Sequence, residues 1–369
     1  MDEKKVVVLG GGPGAHATAA DLALRGFQVS LYDLPEFADG LKRTKEIGKI
    51  ELTGQIKGVA KVNLVTTDIK EALRDVGMIF VVARSNAHSL FADACAPYVE
   101  EGQVIVFAAG NCGSLVFANV FREKEIKKDV MFAEMHSLPY GCRFREPTSV
   151  GGPVHVRIFF TAPLAVGVFP ARRTDEVIAR IKKYYPDTIA LTNVLEAAMN
   201  AGNPMVHVAP TLLNIGRIER VDDFKLFYEG FSESVVRVVM TMFREKEAIC
   251  QAFGLKVLRP TPETTKNFLY YRFGACKPKE GVEEIWQTKQ PMEDVSKARY
   301  ITEDVPYGLA MYSSFGKLVG VKTLTIDSVI QLASVINRVD YMAEGRTAEE
   351  LGLSGLNVKQ INDSLYQGW

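Results

Sequence analysis

The sequence has 369 residues, of which 47% are hydrophobic and 24% are charged, and its 44 basic and 44 acidic side chains give a formal net charge of zero. This ordinary composition excludes a wholly disordered chain, and at roughly 150 residues per domain it predicts about two domains. The charge balance argues against a nucleic acid or an anionic membrane surface as the main partner, because both require a concentrated basic excess.

Strands and helices alternate in the first half of the chain. The predicted strands are Val6–Leu9, Gln28–Tyr32, Val62–Val65, Met78–Val82, Val104–Phe107 and Val130–Phe132. Between most of them, apolar residues recur with the helical spacing of 3.6 residues. This alternation predicts a doubly wound parallel sheet with helices on both faces. Two further strands, Val154–Phe160 and Leu164–Phe169, joined near Pro163, and a helix over Thr174–Tyr185 are expected to complete the domain.

Long amphipathic patterns replace the strands in the second half. The clearest helix spans Ser232–Phe253, with Gly254 just beyond its end, and another spans Asp327–Met342. We therefore predict an α/β domain over residues 1–187 and a mostly α-helical C-terminal domain over residues 188–369.

Neither a membrane span nor a secretory segment is expected. The apolar stretch Val154–Phe169 is interrupted by Arg157 and Pro163 and falls short of the roughly 20 residues that a bilayer requires. The N-terminus runs directly into a strand with no separate apolar segment, which predicts a cytoplasmic protein. The five cysteines are odd in number and lack a Cys-x-x-Cys motif, so we expect neither a disulfide framework nor a metal site.

A glycine-rich loop follows the first predicted strand. Its sequence, Gly10-Gly11-Gly12-Pro13-Gly14-Ala15, fits the G-x-G-x-x-A pattern between a strand and a helix. Gly10 permits a tight turn, Gly12 lets the backbone approach a pyrophosphate, and Ala15 allows close packing of helix on strand. The helix N-terminus then holds the anion. The first domain is thus predicted to be a dinucleotide-binding Rossmann domain.

An acidic residue ends the second predicted strand. Asp33 can accept hydrogen bonds from both ribose hydroxyls and repels a 2′-phosphate, which favours NAD over NADP. NADP stays open because Lys42 and Arg43 follow in a basic loop. The full predicted cofactor-binding set is Gly10, Gly12, Pro13, Gly14, Ala15, Asp33, Ala83, His88 and Asn111.

Of the five histidines, His207 is the best candidate for acid/base chemistry. Asn203 is a natural N-cap and Pro204 a natural first helical residue, which places His207 in the first turns of a helix. Pro210 is expected to kink or end that helix. A histidine beside valines is also common in a core. His88 follows the fourth strand at the edge where such sheets bind ligands, whereas His16 is expected at the surface or beside a phosphate, and His155 in a strand.

Two adjacent carboxylates, Glu303 and Asp304, precede a proline-containing turn. One interpretation is plain helix capping with Thr302 as the N-cap. The other is that Asp304 accepts a hydrogen bond from His207 and fixes its tautomer, while Arg299 binds a substrate carboxylate.

These motifs together resemble the opine (octopine/nopaline) dehydrogenase family. The likeness runs in the same order over nearly the whole chain. It is carried by the glycine loop, by Glu134 with Leu138-Pro139-Tyr140-Gly141-Cys142-Arg143, by Asn203-Pro204-x-x-His207, by Arg299-Tyr300-x-x-Glu303-Asp304-x-Pro306-Tyr307-Gly308, and by Gly345-Arg346-Thr347 with Leu351-Gly352-Leu353. The sequence departs from the family at Val208, where a proline is frequent, and at Arg84 after the fourth strand.

The resemblance implies a two-domain enzyme with its active site in the cleft between a Rossmann and a helical domain. Such enzymes condense an amino acid with a 2-oxo acid, often pyruvate, and reduce the imine with NAD(P)H. It also implies that His207 is the acid/base, Asp304 its partner, Arg299 a carboxylate ligand and Asn203 a residue lining the site. Arg143 is a candidate for a second carboxylate group.

Two other functions stay open at this stage. One is an NAD(P)-dependent 2-oxo or 2-hydroxy acid dehydrogenase that uses no amine, and the other is a dinucleotide-binding sensor without catalysis. We expect small-molecule partners and neither nucleic acid nor membrane, and apolar faces on the C-terminal helices leave a homodimer open.

Overall fold

A computed structural model of the chain describes residues 2–161, 164–220, 224, 226–258 and 298–369. These residues form two units, one of Met1–Ala198 with Asp363–Trp369 and the other of Met199–Asn362. The domain boundary predicted near residue 188 stays a prediction, whereas these two units divide after Ala198.

The strands of the described residues belong to two sheets in the first unit. They are β1 (Asp2–Leu9), β2 (Gln28–Tyr32), β3 (Lys49–Gly54), β4 (Gly58–Lys61), β5 (Leu64–Thr66), β6 (Val76–Val81), β7 (Val104–Ala108), β8 (Met131–Met135), β9 (Tyr140–Arg145), β10 (Val154–Thr161), β11 (Ala165–Phe169) and β12 (Ile189–Ala190). The larger sheet has eight strands in the order β12-β11-β8-β7-β6-β1-β2-β5, and the smaller has the order β4-β3-β10-β9.

The larger sheet is the predicted doubly wound sheet. β1 pairs in parallel with β2 on one side and with β6 on the other, so the chain order reverses between β1 and β6. All six residues of β6 are buried, as expected for a strand covered by helices on both faces. Ligands bind such sheets at the carboxyl edge beside the reversal. The fold therefore places the glycine loop after β1 and Asp33 after β2 at that edge.

The smaller sheet was not predicted from the sequence. The two strands predicted on either side of Pro163 belong to different sheets, because β10 pairs with β3 and β9 whereas β11 pairs with β8 and β12. Pro163 itself lies outside the described residues. The burial patterns give the reason: β10 alternates buried Val156 and Ile158 with partly exposed Arg157, whereas β11 is buried throughout.

The described helices follow in chain order. They are α1 (Pro13–Leu24), α2 (Lys42–Ile47), α3 (Ile69–Leu73), α4 (His88–Cys95), α5 (Gly113–Glu123), α6 (Thr174–Ile181), α7 (Val194–Met199), α8 (Asn203–Leu213), α9 (Ile215–Ile218), α10 (Leu226–Glu229), α11 (Glu233–Phe253), α12 (Arg299–Thr302), α13 (Ala310–Val319), α14 (Leu324–Asn337) and α15 (Val358–Gln367). Short 3₁₀ turns span Pro35–Gly40, Ser85–Ala87 and Ala171–Arg173, and a π-helical turn spans Val305–Leu309.

Helix α11 organises the core of the second unit. Ser232 caps its start by accepting a hydrogen bond from the Val235 amide. Gly254 ends it with a φ of 72°, as the sequence predicted. It packs against α8, α13 and α14. The helix predicted over Asp327–Met342 instead spans Leu324–Asn337. It starts earlier because the Glu245 carboxylate of α11 caps its first amides, and Arg338 ends it with a φ of 55°.

The described parts of the chain contain neither a membrane-spanning helix nor a metal cluster. None of the helices there has both the length and the apolar character needed to cross a membrane. In the same residues, no three His, Cys, Asp or Glu side chains gather as a metal site would require. Cys276, one of the five cysteines, lies outside the described residues.

Candidate active site

The glycine loop forms an open turn at the start of α1. Gly10 has a φ of 126°, and a Cβ atom there would lie 2.4 Å from the Val82 carbonyl oxygen, so both conformation and space require glycine. A Cβ atom on Gly12 would meet nothing within 4 Å, and α1 begins immediately after it. The free space beside the helix N-terminus fits the pyrophosphate of a dinucleotide.

Asp33 lies directly against this loop. A Cβ atom on Gly11 would lie 2.5 Å from Asp33 Oδ2, so Gly11 is the residue that admits the carboxylate. The sequence prediction omitted Gly11 because the motif leaves its position free. The Leu34 amide donates to Asp33 Oδ1 at 2.9 Å. Burial raises the pKa of Asp33 to about 6, against the opposing effect of hydrogen bonds from Leu34 and Gly11.

This pKa predicts a pH-dependent affinity for NADH. Ribose hydroxyls donate to the ionised carboxylate, so protonation of Asp33 opposes binding, and the dissociation constant of NADH is expected to rise by up to about tenfold per pH unit below pH 6. The Asp33→Asn variant is expected to lose this dependence and to bind NADH about tenfold more weakly at pH 8. Isothermal titration calorimetry between pH 5 and 8 would measure both.

The same shift has a consequence for stability. Because the folded-state pKa of Asp33 is raised, its contribution to the free energy of unfolding is greatest below pH 4 and is lost as the pH rises through 6. Asp33→Asn is therefore expected to stabilise the free protein above pH 6 while it weakens cofactor binding. Wild-type NADH affinity that stays constant from pH 5 to 8 would contradict the assignment of Asp33 to the ribose.

His16 connects the glycine loop to α2 from inside the fold. Its Nδ1 lies 3.0 Å from the Gly12 carbonyl oxygen and its Nε2 lies 2.8 Å from Thr44 Oγ1. It is fully buried, so the expected surface position is wrong, and burial lowers its pKa to about 4. Donation to the Gly12 carbonyl leaves Nε2 to accept from Thr44. His16 is thus a neutral side chain that stabilises the phosphate-binding turn through two hydrogen bonds.

The two basic residues that left NADP open lie on α2. Lys42 is exposed, whereas the Arg43 guanidinium donates to the Gly152 carbonyl oxygen through Nη2 at 2.8 Å. Arg43 thus has a backbone partner within the first unit.

The remaining predicted cofactor residues follow β6 and β7 at the carboxyl edge of the sheet. His88 is buried at the start of α4, with its ring edge-on to Phe107 at 5.3 Å between centroids. Asn111 is buried in the loop after β7 and donates to Ser85 Oγ at 3.3 Å. Ala83 is partly exposed in the loop after β6. These loops lie on the opposite side of the β1/β6 reversal from Asp33.

In the second unit, His207 and Asp304 form a buried hydrogen-bonded pair. Nδ1 of His207 lies 2.6 Å from Oδ2 of Asp304, and the two residues are only 7% and 4% exposed. The carboxylate accepts the proton of Nδ1, which leaves the lone pair of Nε2 available as a base. The Tyr300 ring stacks on His207 with centroids 4.0 Å apart and planes at 26°. One partner thus fixes the tautomer and the other fixes the ring plane.

A close approach between α8 and the π-helical turn brings the pair together. A Cβ atom on Gly308 would lie only 2.2 Å from Pro204 Cγ, so only glycine permits this packing. Asp304 directly precedes the turn, and the Arg346 amide donates to the Pro306 carbonyl oxygen at 2.9 Å. The Gly308 and Arg346 motifs therefore support the geometry around Asp304.

Three local predictions differ from the structure. The N-cap of α8 is Gly202 and not Asn203, which is the first helical residue. Pro210 does not end the helix, which continues to Leu213 and in which Thr211 Oγ1 donates to the His207 carbonyl oxygen at 2.7 Å. Thr302 is not an N-cap, since it ends the short helix α12.

The other predicted substrate residues have different surroundings. Asn203 is exposed one helical turn before His207, which places both on one face of α8. Arg299 is exposed, and its Nε lies 3.4 Å from Glu303 Oε2. Arg143 belongs to the first unit, on β9, where its Nη1 donates to the Cys142 carbonyl oxygen at 3.0 Å. The second unit thus contains His207, Asp304, Arg299 and Asn203, whereas Arg143 belongs to the first unit.

Comparisons with known proteins agree with this arrangement. A family model described as NAD/NADP octopine/nopaline dehydrogenase, alpha-helical domain, matches residues 190–337. An opine dehydrogenase of Arthrobacter sp. (strain 1C) is 32% identical to the chain, over 99% of both sequences.

Solved structures of related enzymes are similar in fold to this chain. An octopine dehydrogenase solved with NADH and pyruvate is similar with a TM-score of 0.73 at 19% identity, covering 99% of this chain and 98% of that one. A yersinopine dehydrogenase with bound NADP⁺ is similar with a TM-score of 0.68 at 13% identity, covering 98% of each chain. The chain belongs to the opine dehydrogenase family, NAD(P)-dependent oxidoreductases that act on CH–NH groups and reductively condense an amino acid with a 2-oxo acid.

Proposed function

We propose that His207 is the acid/base of this condensation and that Asp304 orients it. The observation that carries the proposal is the 2.6 Å hydrogen bond from His207 Nδ1 to the buried Asp304 carboxylate. A negative charge at Nδ1 stabilises the imidazolium that forms when Nε2 accepts a proton. Tyr300, stacked on the ring, holds Nε2 in a fixed direction.

The same proton takes part in both steps of imine formation, the deprotonation of the amine and the loss of water. His207 Nε2 takes a proton from the substrate ammonium group, and the free amine attacks the carbonyl carbon of the 2-oxo acid to give a carbinolamine. The imidazolium returns that proton to the hydroxyl group, which leaves as water, and the nitrogen lone pair forms the protonated imine. NAD(P)H supplies the hydride that converts this imine into the secondary amine product.

The carboxylates of the two substrates need cationic or amide partners. Arg299 lies on the same short helix as Tyr300, and we assign it to a substrate carboxylate. Asn203 shares the face of α8 with His207 and lines the site. Arg143 is assigned to a second carboxylate. NAD is the favoured cofactor, because the Asp33 carboxylate beside the glycine loop would repel a 2′-phosphate bound there.

The 2-oxo acid is proposed to be pyruvate, the compound bound in the similar octopine dehydrogenase structure. The test measures NADH oxidation with pyruvate in the presence and absence of a panel of amino acids, with product mass determined by mass spectrometry. Oxidation that requires the amino acid, with a product of the condensed mass, is expected. Equal oxidation without any amine would support a 2-oxo acid reductase, and tight NADH binding with no turnover would support a sensor.

Two further properties belong to the proposal. The protein is proposed to act in the cytoplasm and to form a homodimer. Helix α14 exposes Leu332 and Val335 by 50% and 66%, which supports an apolar contact between copies. Light scattering coupled to size-exclusion chromatography tests the dimer.

A further inference from the structure

The loop between β7 and α5 has an unusual backbone. Ala109, Asn111 and Cys112 all have positive φ values, of 58°, 46° and 62°. Alanine and cysteine rarely adopt this left-handed conformation, because their Cβ atom crowds the following carbonyl oxygen. Such backbone persists only where its surroundings hold it, and it concentrates at functional sites.

A single buried carboxylate holds the end of this loop. Glu134, on β8, is fully buried, and its Oε2 accepts from the Cys112 amide at 3.0 Å. Its Oε1 accepts from the Ser114 amide at 2.8 Å and from Ser114 Oγ at 2.5 Å. A Cβ atom on Gly110 would lie 3.0 Å from Glu134 Cδ, so the loop also closes over the carboxyl group.

The carboxylate occupies the N-terminus of α5, where the helix dipole favours a negative charge. The equivalent end of α1 is open at Gly12 and is free to receive a pyrophosphate. The two helix ends at the carboxyl edge of the sheet therefore differ: one is left for a ligand anion and the other is filled by the protein itself.

The location of this loop indicates what it serves. A dinucleotide lies across the strand-order reversal, with one nucleotide on each side. Asp33 and the glycine loop take the adenosine side, and the β7–α5 loop lies on the other side with Asn111. Gly113 in turn packs on the predicted cofactor residue His88, since its Cβ atom would lie 2.2 Å from His88 Nδ1.

We propose that Glu134 is a positioning residue for the nicotinamide half of the cofactor. By accepting both amides, it keeps Asn111, Cys112 and Gly113 in the one backbone conformation that receives the nicotinamide nucleotide. The inference rests on the use of a nicotinamide dinucleotide and is independent of the roles proposed for His207 and Asp304.

The test compares NADH with ADP-ribose, which retains the adenosine and pyrophosphate but lacks nicotinamide. In Glu134→Gln, the side-chain NH₂ group faces a backbone N–H, and two donors cannot pair. One of the two hydrogen bonds from the Cys112 and Ser114 amides is therefore lost. We expect the dissociation constant of NADH to rise at least tenfold and that of ADP-ribose to change less than twofold. In the protein without cofactor, hydrogen exchange of the Cys112 and Ser114 amides should become faster.

A matched control is available in the second unit. Glu245 also accepts two backbone amides at a helix start, those of Thr325 and Ile326, so Glu245→Gln makes the same chemical change elsewhere. It is expected to lower thermal stability and to leave the ratio of the two dissociation constants unchanged. Equal weakening of both ligands in Glu134→Gln, or no weakening of either, would overturn the proposal.

Ser114→Ala decides the question if Glu134→Gln does not fold. This change removes the hydroxyl donor that orients Glu134 Oε1, so the carboxylate holds the Ser114 amide less firmly. We expect NADH binding to weaken about threefold with ADP-ribose binding unchanged. An unchanged affinity for NADH in this variant would also overturn the proposal.

Discussion

Replacing His207 with alanine is expected to lower kcat by about 10²- to 10⁴-fold, the usual contribution of one acid/base group. The loss arises because no other group is assigned to take the ammonium proton and return it to the departing hydroxyl. NADH affinity should stay within twofold of the wild type, because the glycine loop and Asp33 belong to the first unit. Steady-state kinetics and calorimetric titration of NADH would measure the two quantities separately.

The pH profile distinguishes an acid/base from a structural role. A histidine that must accept a proton makes kcat, measured at saturating NADH, fall toward acid pH, and His207→Ala should lack this fall. His155→Ala is the control, since His155 lies on β10 and its ring bonds to Thr53 Oγ1 at 2.6 Å and the Glu146 carbonyl oxygen at 2.8 Å. Turnover near the wild-type value in His207→Ala would end the assignment.

Features specified by neighbouring residues were predictable from the sequence. The glycine loop, Asp33 and the capped helix α11 each depend on a short segment whose residues determine its own turn, strand end or cap. The pairing of His207 with Asp304 was one of two open interpretations of the sequence. The structure contains that contact, while the catalytic roles of both residues stay predictions.

Features that depend on distant residues were not predictable. The start of α14 is determined by Glu245, about 80 residues earlier in the chain, and no local pattern could indicate that cap. Gly308 and Gly113 matter because Pro204 and the His88 ring occupy the space of a Cβ atom, which only the folded chain reveals. Glu134 belonged to a family motif, but its hold on the loop became visible only with the positive φ values of Ala109, Asn111 and Cys112.

Glu134 and Asp304 are both buried carboxylates that hold a neighbouring group in one conformation. The group that each one holds determines whether it affects cofactor binding or turnover. Glu134 accepts hydrogen bonds from backbone amides, whereas Asp304 is bonded to an imidazole that we propose changes its charge during the reaction. A residue of the first kind is expected to affect affinity for one half of the cofactor. A residue of the second kind is expected to affect turnover and its pH dependence.

Replacing Asp304 with asparagine tests the second kind, and we expect kcat to fall by about 10²-fold or more with little change in NADH affinity. The neutral amide no longer stabilises the imidazolium. If its NH₂ group donates to Nδ1 of His207, the proton moves to Nε2 and the base is lost. Steady-state kinetics of Asp304→Asn would measure this effect, and its thermal unfolding temperature would show that the variant is folded.

Asp327→Asn provides a matched control in the same unit, because Asp327 accepts from Ser313 Oγ at 2.6 Å and Thr323 Oγ1 at 3.1 Å with no histidine involved. This variant should lose stability but retain kcat within a few-fold. Because Asp304 acts only through His207, the double variant His207→Ala/Asp304→Asn should be no slower than His207→Ala alone. Additive losses would mean that Asp304 has a role independent of the histidine, and the pair would then not be a single catalytic unit.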